Sequence, residues 1–170
     1  MISVKKLDSD ADIERWWVEK RSYEANDIFA NWEDSDAEKA EALVWFGSQD
    51  YYDTIMRLHR QAAEGGSPLQ FVFFNDEEGE YLGFADYKIY TEEDGKAIIL
   101  DFSVSAPFRN KGLGERMYQA LEETLYRDGA TYVTLNTSNA DNRRFWQRIG
   151  FQQTKPNEYG EMVYRKEIIK

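Results

Sequence analysis

Between Ala97 and Arg127 the hydrophobic period of the sequence changes once. Ala97–Val104 is the most apolar strand-like run of the chain, and a short polar turn carrying Gly112 and Gly114 follows it. Leu113, Met117, Leu121 and Leu125 then recur every four residues, with Ala120 and Thr124 beside them. That spacing predicts one apolar face of a helix over Leu113–Arg127, and Gly129 ends it as a left-handed cap does. Thr131–Thr137 reads as the next strand. Ser138-Asn139-Ala140-Asp141 looks like a capping box, opening a short helix with Phe145, Trp146 and Ile149 that Gly150 closes. Such a strand–helix–strand–helix order needs a sheet to pack on.

The rest of the chain supplies that sheet. Ile2–Leu7 alternates apolar and polar residues as a half-buried strand does. Asp8-Ser9-Asp10 offers helix caps before a helix over Ala11–Arg21. Tyr23–Asp36 is irregular in pattern. Helical spacing returns from Asp36 to about Ala63, broken near Gly47 and Ser48 and ended by Gly65-Gly66-Ser67-Pro68. Leu69–Phe74 and Tyr81–Tyr90 read as strands, and Asp94-Gly95 is a hairpin signal before Ala97–Val104. Phe151–Thr154 and Glu161–Ile169 complete the strands. The expectation is a mixed α/β sheet with helices on both faces, in a single domain over residues 1–170.

Composition narrows the chemistry. The 170 residues hold no cysteine and one histidine, His59. Disulfides, thiolate zinc sites, cysteine nucleophiles and multi-histidine metal sites are therefore excluded, and no metal is expected. The 32 acidic and 21 basic residues give a formal net charge of -11. That field repels nucleic acid and anionic membranes and favours cationic partners. No long apolar run suggests a membrane span, and Met1–Asp8 lacks the apolar centre of a signal peptide. A cytoplasmic protein with neither nucleic acid nor membrane as partner is expected.

The turn itself points to a ligand. Backbone N–H groups at a helix start carry partial positive charge and bind phosphate. Two glycines let an anion approach closely, and Arg109, Lys111 and Arg116 add positive charge. A pyrophosphate suits such a turn, although an ordinary strand–turn–helix also uses glycines for geometry. The run is neither a Rossmann fingerprint, since Met117 stands at the third glycine, nor a P-loop.

Arg109-Asn110-Lys111-Gly112-Leu113-Gly114, with Val104 five residues before it, resembles the signature of the GNAT superfamily of N-acetyltransferases. Asn139 and Phe145-Trp146-Gln147-Arg148-Ile149-Gly150-Phe151 resemble that family's second motif. The resemblance implies the GNAT fold, a mostly antiparallel mixed sheet splayed between its fourth and fifth strands. It implies acetyl-CoA as co-substrate, with Phe102 and Val104 on the pantetheine amides. The amides of Arg109, Asn110, Lys111, Gly112, Leu113, Gly114 and Glu115 would hold the pyrophosphate, and Asn139 would contact the cofactor arm. Arg143 and Arg144 read as a solvated helix face, with contact to the adenosine phosphate as the alternative. The implied reaction is direct attack of an amine on the thioester in a ternary complex. Family members often pair, so a homodimer is compatible.

Some family positions differ. Trp146 stands where many relatives have a tyrosine acid, and an indole N–H is too weak an acid for that role. It reads instead as core or cofactor packing. Thr134 stands where some relatives carry a catalytic glutamate, and Ala106 where a proline is usual. Asp101 is the candidate base for the amine's proton, with a structural hydrogen-bonding role or simple binding of a cationic amine as the alternatives. Tyr87, Tyr90, Tyr159 and Tyr164 are further polar aromatics that nothing in the sequence distinguishes. His59 reads as a surface or partly packed residue.

On the acceptor side, Tyr23–Asp36 brings Glu24, Asp27, Trp32, Glu33 and Asp34, which suit a cationic small-molecule or peptide amine. An acidic surface loop anchored by Trp32 is the other reading. A non-catalytic acyl-CoA-binding sensor or interaction protein is the alternative function, because the tyrosine at Trp146 is missing.

Overall fold

A computed structural model describes residues 1–32, 35–60, 68–137 and 140–168. In chain order the elements are β1 (Ser3–Lys6), α1 (Asp10–Tyr23), a π-helical turn (Glu24–Phe29), α2 (Asp36–Phe46) and α3 (Gln49–Arg60). Then come β2 (Gln70–Asn75), β3 (Tyr81–Tyr90), β4 (Lys96–Val104) and a single 3-10 turn (Ala106–Phe108). The chain ends with α4 (Leu113–Arg127), β5 (Tyr132–Asn136), α5 (Ala140–Arg148), β6 (Gln152–Pro156) and β7 (Met162–Glu167).

The seven strands form one sheet in the order β1-β2-β3-β4-β5-β7-β6. Among the described residues only β4 and β5 pair in parallel; every other neighbouring pair is antiparallel. Alternation along β2 shows why helices cover both faces. Phe71 and Phe73 turn to one side, where Ile13, Trp16 and Trp17 of α1 and Met56 of α3 meet them. Val72 and Phe74 turn to the other, where Met117, Tyr118, Leu121 and Leu125 of α4 and Trp146 of α5 close the core. Trp16 stacks on Phe71 with ring centroids 3.7 Å apart; removing either ring would open a cavity costing about 3–5 kcal/mol.

The expected helix and strand pattern is present, with one difference. Tyr23–Asp36 is irregular in sequence, yet the backbone leaves α1 without a break. Tyr23 and Glu24 keep helical dihedrals, and the chain winds on as the π-helical turn. The breaks elsewhere have local causes. The Ser9 side chain accepts the Asp12 amide at 3.2 Å to start α1. The Ser48 hydroxyl accepts the Tyr51 amide at 3.1 Å to start α3 after Gly47. The stop at Gly65-Gly66-Ser67 and the capping box at Ser138-Asn139 lie outside the described residues. Among the described residues, no helix is long and apolar enough to cross a membrane.

Candidate functional site

Parallel pairing between β4 and β5 covers only Lys96–Tyr132, Ala97–Val133 and Ile98–Thr134. Beyond Ile98, β4 continues to Val104 without β5 beside it, so the sheet opens into a cleft. A bulge sits at the opening. Asp86 pairs with Asp101 and Tyr87 with Ile99, which leaves Leu100 as the extra residue on β4. A bulge bends its strand and raises the twist, and here it turns β4 away from β5. Leu100 is 55% exposed at that bend.

Past the bulge, backbone polarity alternates. The Ser103 carbonyl points at β3, where a Cβ on Gly83 would run into it. Successive residues of a strand direct their N–H and C=O groups to opposite edges. Phe102 and Val104 therefore turn theirs into the cleft.

At the end of β4 the turn is built to leave amides open. Asn110 and Gly112 adopt left-handed φ values of 62° and 75°. An added Cβ at Gly112 would have nothing within 4 Å, so glycine is needed there for its dihedral and the space beside it is free. Gly114 has the opposite reason: its Cβ would lie 2.9 Å from the Phe145 ring of α5. The first-turn amides of Leu113, Gly114 and Glu115 have no acceptor within their own helix. Arg109 differs from its neighbours, because its amide donates to the Ala106 carbonyl at 3.3 Å. Its guanidinium donates to the Val104 carbonyl at 2.8 Å and grips both carboxylate oxygens of Asp27 at 2.9 and 2.8 Å. That bidentate bond raises the Arg109 pKa further. The β4–α4 turn is thereby stapled to the π-helical turn.

A different construction lines the α1 side. Lys20 of α1 is only 3% exposed, and its ammonium lies 2.6 Å from Asp101 and 3.7 Å from Glu24. Burial alone would lower its pKa, but the charges of Asp101 and Asp86 outweigh this and hold it well above the usual lysine value. Asp86, 1% exposed, accepts the Asp101 amide at 2.6 Å. Burial, and then the charge of Asp101, push the Asp86 carboxyl up. The Tyr51 hydroxyl donates to Glu24 at 3.2 Å. Tyr23 sits beside this cluster against Phe84, and burial, then Asp101, raise its hydroxyl.

Phe102, Val104 and Arg109–Glu115 are thus gathered around one cleft, with Asp101 on its α1 side. Asn139, Glu33 and Asp34 lie outside the described residues. Trp146 is buried among Phe102, Tyr118, Phe145 and Phe151. Tyr164 is core, Tyr87 bonds Asp128, and Tyr90 sits beneath the ammonium groups of Lys88 and Lys96. Tyr159 is exposed. The Thr134 hydroxyl bonds the Ala97 carbonyl at 3.2 Å. His59 bonds the Leu69 carbonyl at 2.8 Å and stacks on Phe71, a packing role. Arg143 and Arg144 are exposed, the latter 3.6 Å from Asp141. Trp32 stacks on Phe29 and donates to the Ser35 carbonyl. Sequence reasoning missed Lys20, Tyr23, Tyr51 and Asp86. A lone Asp within the apolar run Leu82–Ile89 was the available signal.

Comparison with known proteins agrees with this architecture. The model of the acetyltransferase (GNAT) family matches residues 27–151. A spermine/spermidine N(1)-acetyltransferase of Bacillus subtilis is 32% identical over 100 residues, 54% of this chain and 66% of the relative. The chain thus spans slightly under two thirds of that relative's length. An uncharacterized N-acetyltransferase of Chlorobaculum tepidum is 26% identical over 97 residues, 57% of this chain and 59% of the relative. Among solved structures, PaiA N-acetyltransferase from Thermoplasma acidophilum in complex with coenzyme A superposes with a TM-score of 0.66 at 16% identity, covering 98% of this chain and 99% of that one. An acetyltransferase of the GNAT family from Staphylococcus aureus superposes with a TM-score of 0.64 at 13% identity, covering 99% and 100%. These two structural likenesses speak for the fold.

Proposed function

The chain belongs to the acetyltransferase (GNAT) family, and on that premise we propose that it moves an acetyl group from acetyl-CoA to a primary amine, which attacks the thioester directly in a ternary complex. The observation that carries this reading is the turn between β4 and α4. Its amides at the start of α4 are open, Gly112 borders free space, and it ends a strand whose own backbone faces a cleft. A dinucleotide-like pyrophosphate fits that arrangement of donors and space. One domain over residues 1–170 is part of the reading, supported by two cores that share a single sheet.

In this reading the amides of Asn110–Glu115 hold the pyrophosphate, with Lys111 and Arg116 adding charge and Arg109 bracing the turn. Phe102 and Val104 pair with the pantetheine amides, and Asn139 contacts the same arm by family pattern. Acetyl-CoA, when bound, supplies the activated carbonyl. Amide N–H groups on the open edge of β4 polarise it. The neutral acceptor nitrogen forms its bond to the carbonyl carbon, and the C–S bond breaks with its electron pair staying on sulfur. Coenzyme A thus leaves as the thiolate, to be protonated by water, and the nitrogen's proton must leave. Asp101 is the proposed acceptor of that proton, directly or through water. Its position on the α1 side, two residues from Ser103, supports this. Lys20 holds one of its oxygens, so the network around it fixes the carboxylate's orientation. Trp146 packs and does not donate.

The carboxylates of the π-helical turn and the likeness to a protein named for spermine and spermidine both support a cationic amine as acceptor. The first test is acetyl-CoA-dependent thiol release across polyamines, aminoglycosides, amino acids and short peptides. Turnover above the amine-free background is expected. A blank panel with acetyl-CoA binding intact by calorimetry would favour the non-catalytic reading. For Asp101→Asn, kcat is expected to fall about a hundredfold, the low end of what proton transfer is worth, with acetyl-CoA affinity nearly unchanged. An unaltered rate and pH profile would remove Asp101 from the chemistry.

A further inference from the structure

Among the described residues, the helices on the face opposite α4 and α5 cover the β1–β3 half of the sheet. Ala97, Ile99, Val133, Leu135 and Tyr164 point into the α4 core. Their neighbours Lys96, Tyr132, Thr134, Val163 and Arg165 therefore face the other way, and with Thr154 and Lys155 they line a concavity of about 390 Å³. That is within the size range of small-molecule sites, roughly 300–1,000 Å³. Its chemistry is the reverse of the rest of the chain. Three cations converge there in a protein of formal net charge -11.

Two of those cations are available. Arg165 lies over the Tyr132 ring at 3.7 Å, and its Nε and Nη2 lie 2.7 and 2.6 Å from one Glu167 oxygen, but both partners are about half exposed. Exposed pairs of this kind are worth little and exchange readily. Lys155 is exposed, and no carboxylate reaches it among the described residues. Lys96 lies over the Tyr90 ring. The nearby acids are Glu167, already on Arg165, and Asp94, which accepts the Tyr132 hydroxyl at 2.6 Å.

Position gives the concavity its meaning. Thr134 pairs with Ile98, the last rung before β4 and β5 part. The concavity therefore ends where the cleft begins, on the same face as Asp101. Asp101 lies three residues further along β4, about 10 Å at a strand's rise. We propose that this concavity is a subsite for a carboxylate carried by the acceptor, so that the acceptor is an amino acid or peptide-like amine of about lysine's length and not a plain polyamine. The cationic end then points toward the cleft and the carboxylate lies against Lys155, Arg165 and Lys96. Arg165 supplies the guanidinium N–H groups that Glu167 does not hold, or the whole fork once that exposed pair exchanges, and the lysines supply point charge.

This inference rests on the amine-acetylation reading and sharpens it. The test compares matched acceptors that differ by one carboxylate: lysine against cadaverine, and ornithine against putrescine. The carboxylate-bearing member of each pair is expected to have the higher kcat/KM, by about tenfold, the scale of a charge-assisted hydrogen bond. The ratio should collapse toward one in Lys155→Met, a surface change that spares the fold, and in Arg165→Met. Equal or better use of the diamines, or a ratio that both variants leave intact, would overturn the subsite. Calorimetry of the coenzyme-A-saturated protein with lysine and cadaverine separates the two levels. Preferential lysine binding without any transfer would keep the subsite and remove the activity. Acetylation of cadaverine but not lysine would do the reverse.

Discussion

On the α4 side of the cleft, the turn into α4 leaves the first amides of that helix open, whereas on the α1 side the carboxylates around Lys20 close on the chain itself. The first region is exposed and held by conformation: two left-handed residues, a short 3-10 turn and the Arg109 staple. The second is buried and held by charge: Lys20 on Asp101 and Glu24, and Asp86 on the Asp101 amide. Open amides cost little at the surface, because water satisfies them until a ligand does. A buried carboxylate has no such reserve and must be paired within the fold. Surface amides at a helix start can therefore be left to solvent, whereas the carboxylates buried beside β4 are stored with an internal counterion.

The largest break in this comparison comes from Lys20→Met. It leaves Asp101 without its ammonium and Asp86 beside it with no cation to offset either, while Glu24 keeps Arg21 at 3.1 Å. Breaking such a buried pair costs about 3–5 kcal/mol, or roughly 10 °C in Tm for a chain of this length. Denaturant unfolding measures it. A loss below about 1 kcal/mol would mean that the cluster reaches water and is not closed.

Gly112→Leu tests the open side. The backbone there is left-handed and no atoms crowd it, so the stability cost should stay near 1–2 kcal/mol. The new side chain fills the space beside the free amides, and acetyl-CoA affinity is expected to fall more than about a hundredfold, close to 3 kcal/mol. Calorimetry that found the affinity unchanged would remove the cradle from this turn.

The open side was the legible one. Its parts are contiguous, and glycines, a strand and a four-residue apolar spacing announce them within thirty residues. The closed side was not. Lys20 reads as one more charged residue on a predicted helix, and its partner Asp101 is 81 positions away. The bulge at Leu100 was hidden as well, because Ala97–Leu100 is uniformly apolar and a period of two cannot reveal an inserted residue. Asp101 was legible as a candidate, yet its counterion was not, since no local rule links a helix lysine to a strand aspartate. The π-helical turn escaped for another reason. Its residues, Glu24–Phe29, follow a period the usual helix template does not score, and they read as irregular chain.

The smallest expected effect is at Asp27, the residue that joins the two sides. Its bidentate bond to Arg109 is partly exposed, with side chains 23% and 41% accessible, so the bond contributes at most about 1 kcal/mol to stability. Asp27→Asn keeps one oxygen for the guanidinium but removes the negative charge that offsets Arg109 beside the cradle. Acetyl-CoA is an anion, so its affinity at low ionic strength is expected to rise about threefold. The gain should fade toward 1 M salt, where the Debye length falls to about 3 Å. Calorimetry at several salt concentrations reads both the sign and the slope. A weaker affinity that does not depend on salt would mean that Asp27 acts by holding the turn in shape, which would move the staple from the electrostatic to the conformational side of the comparison.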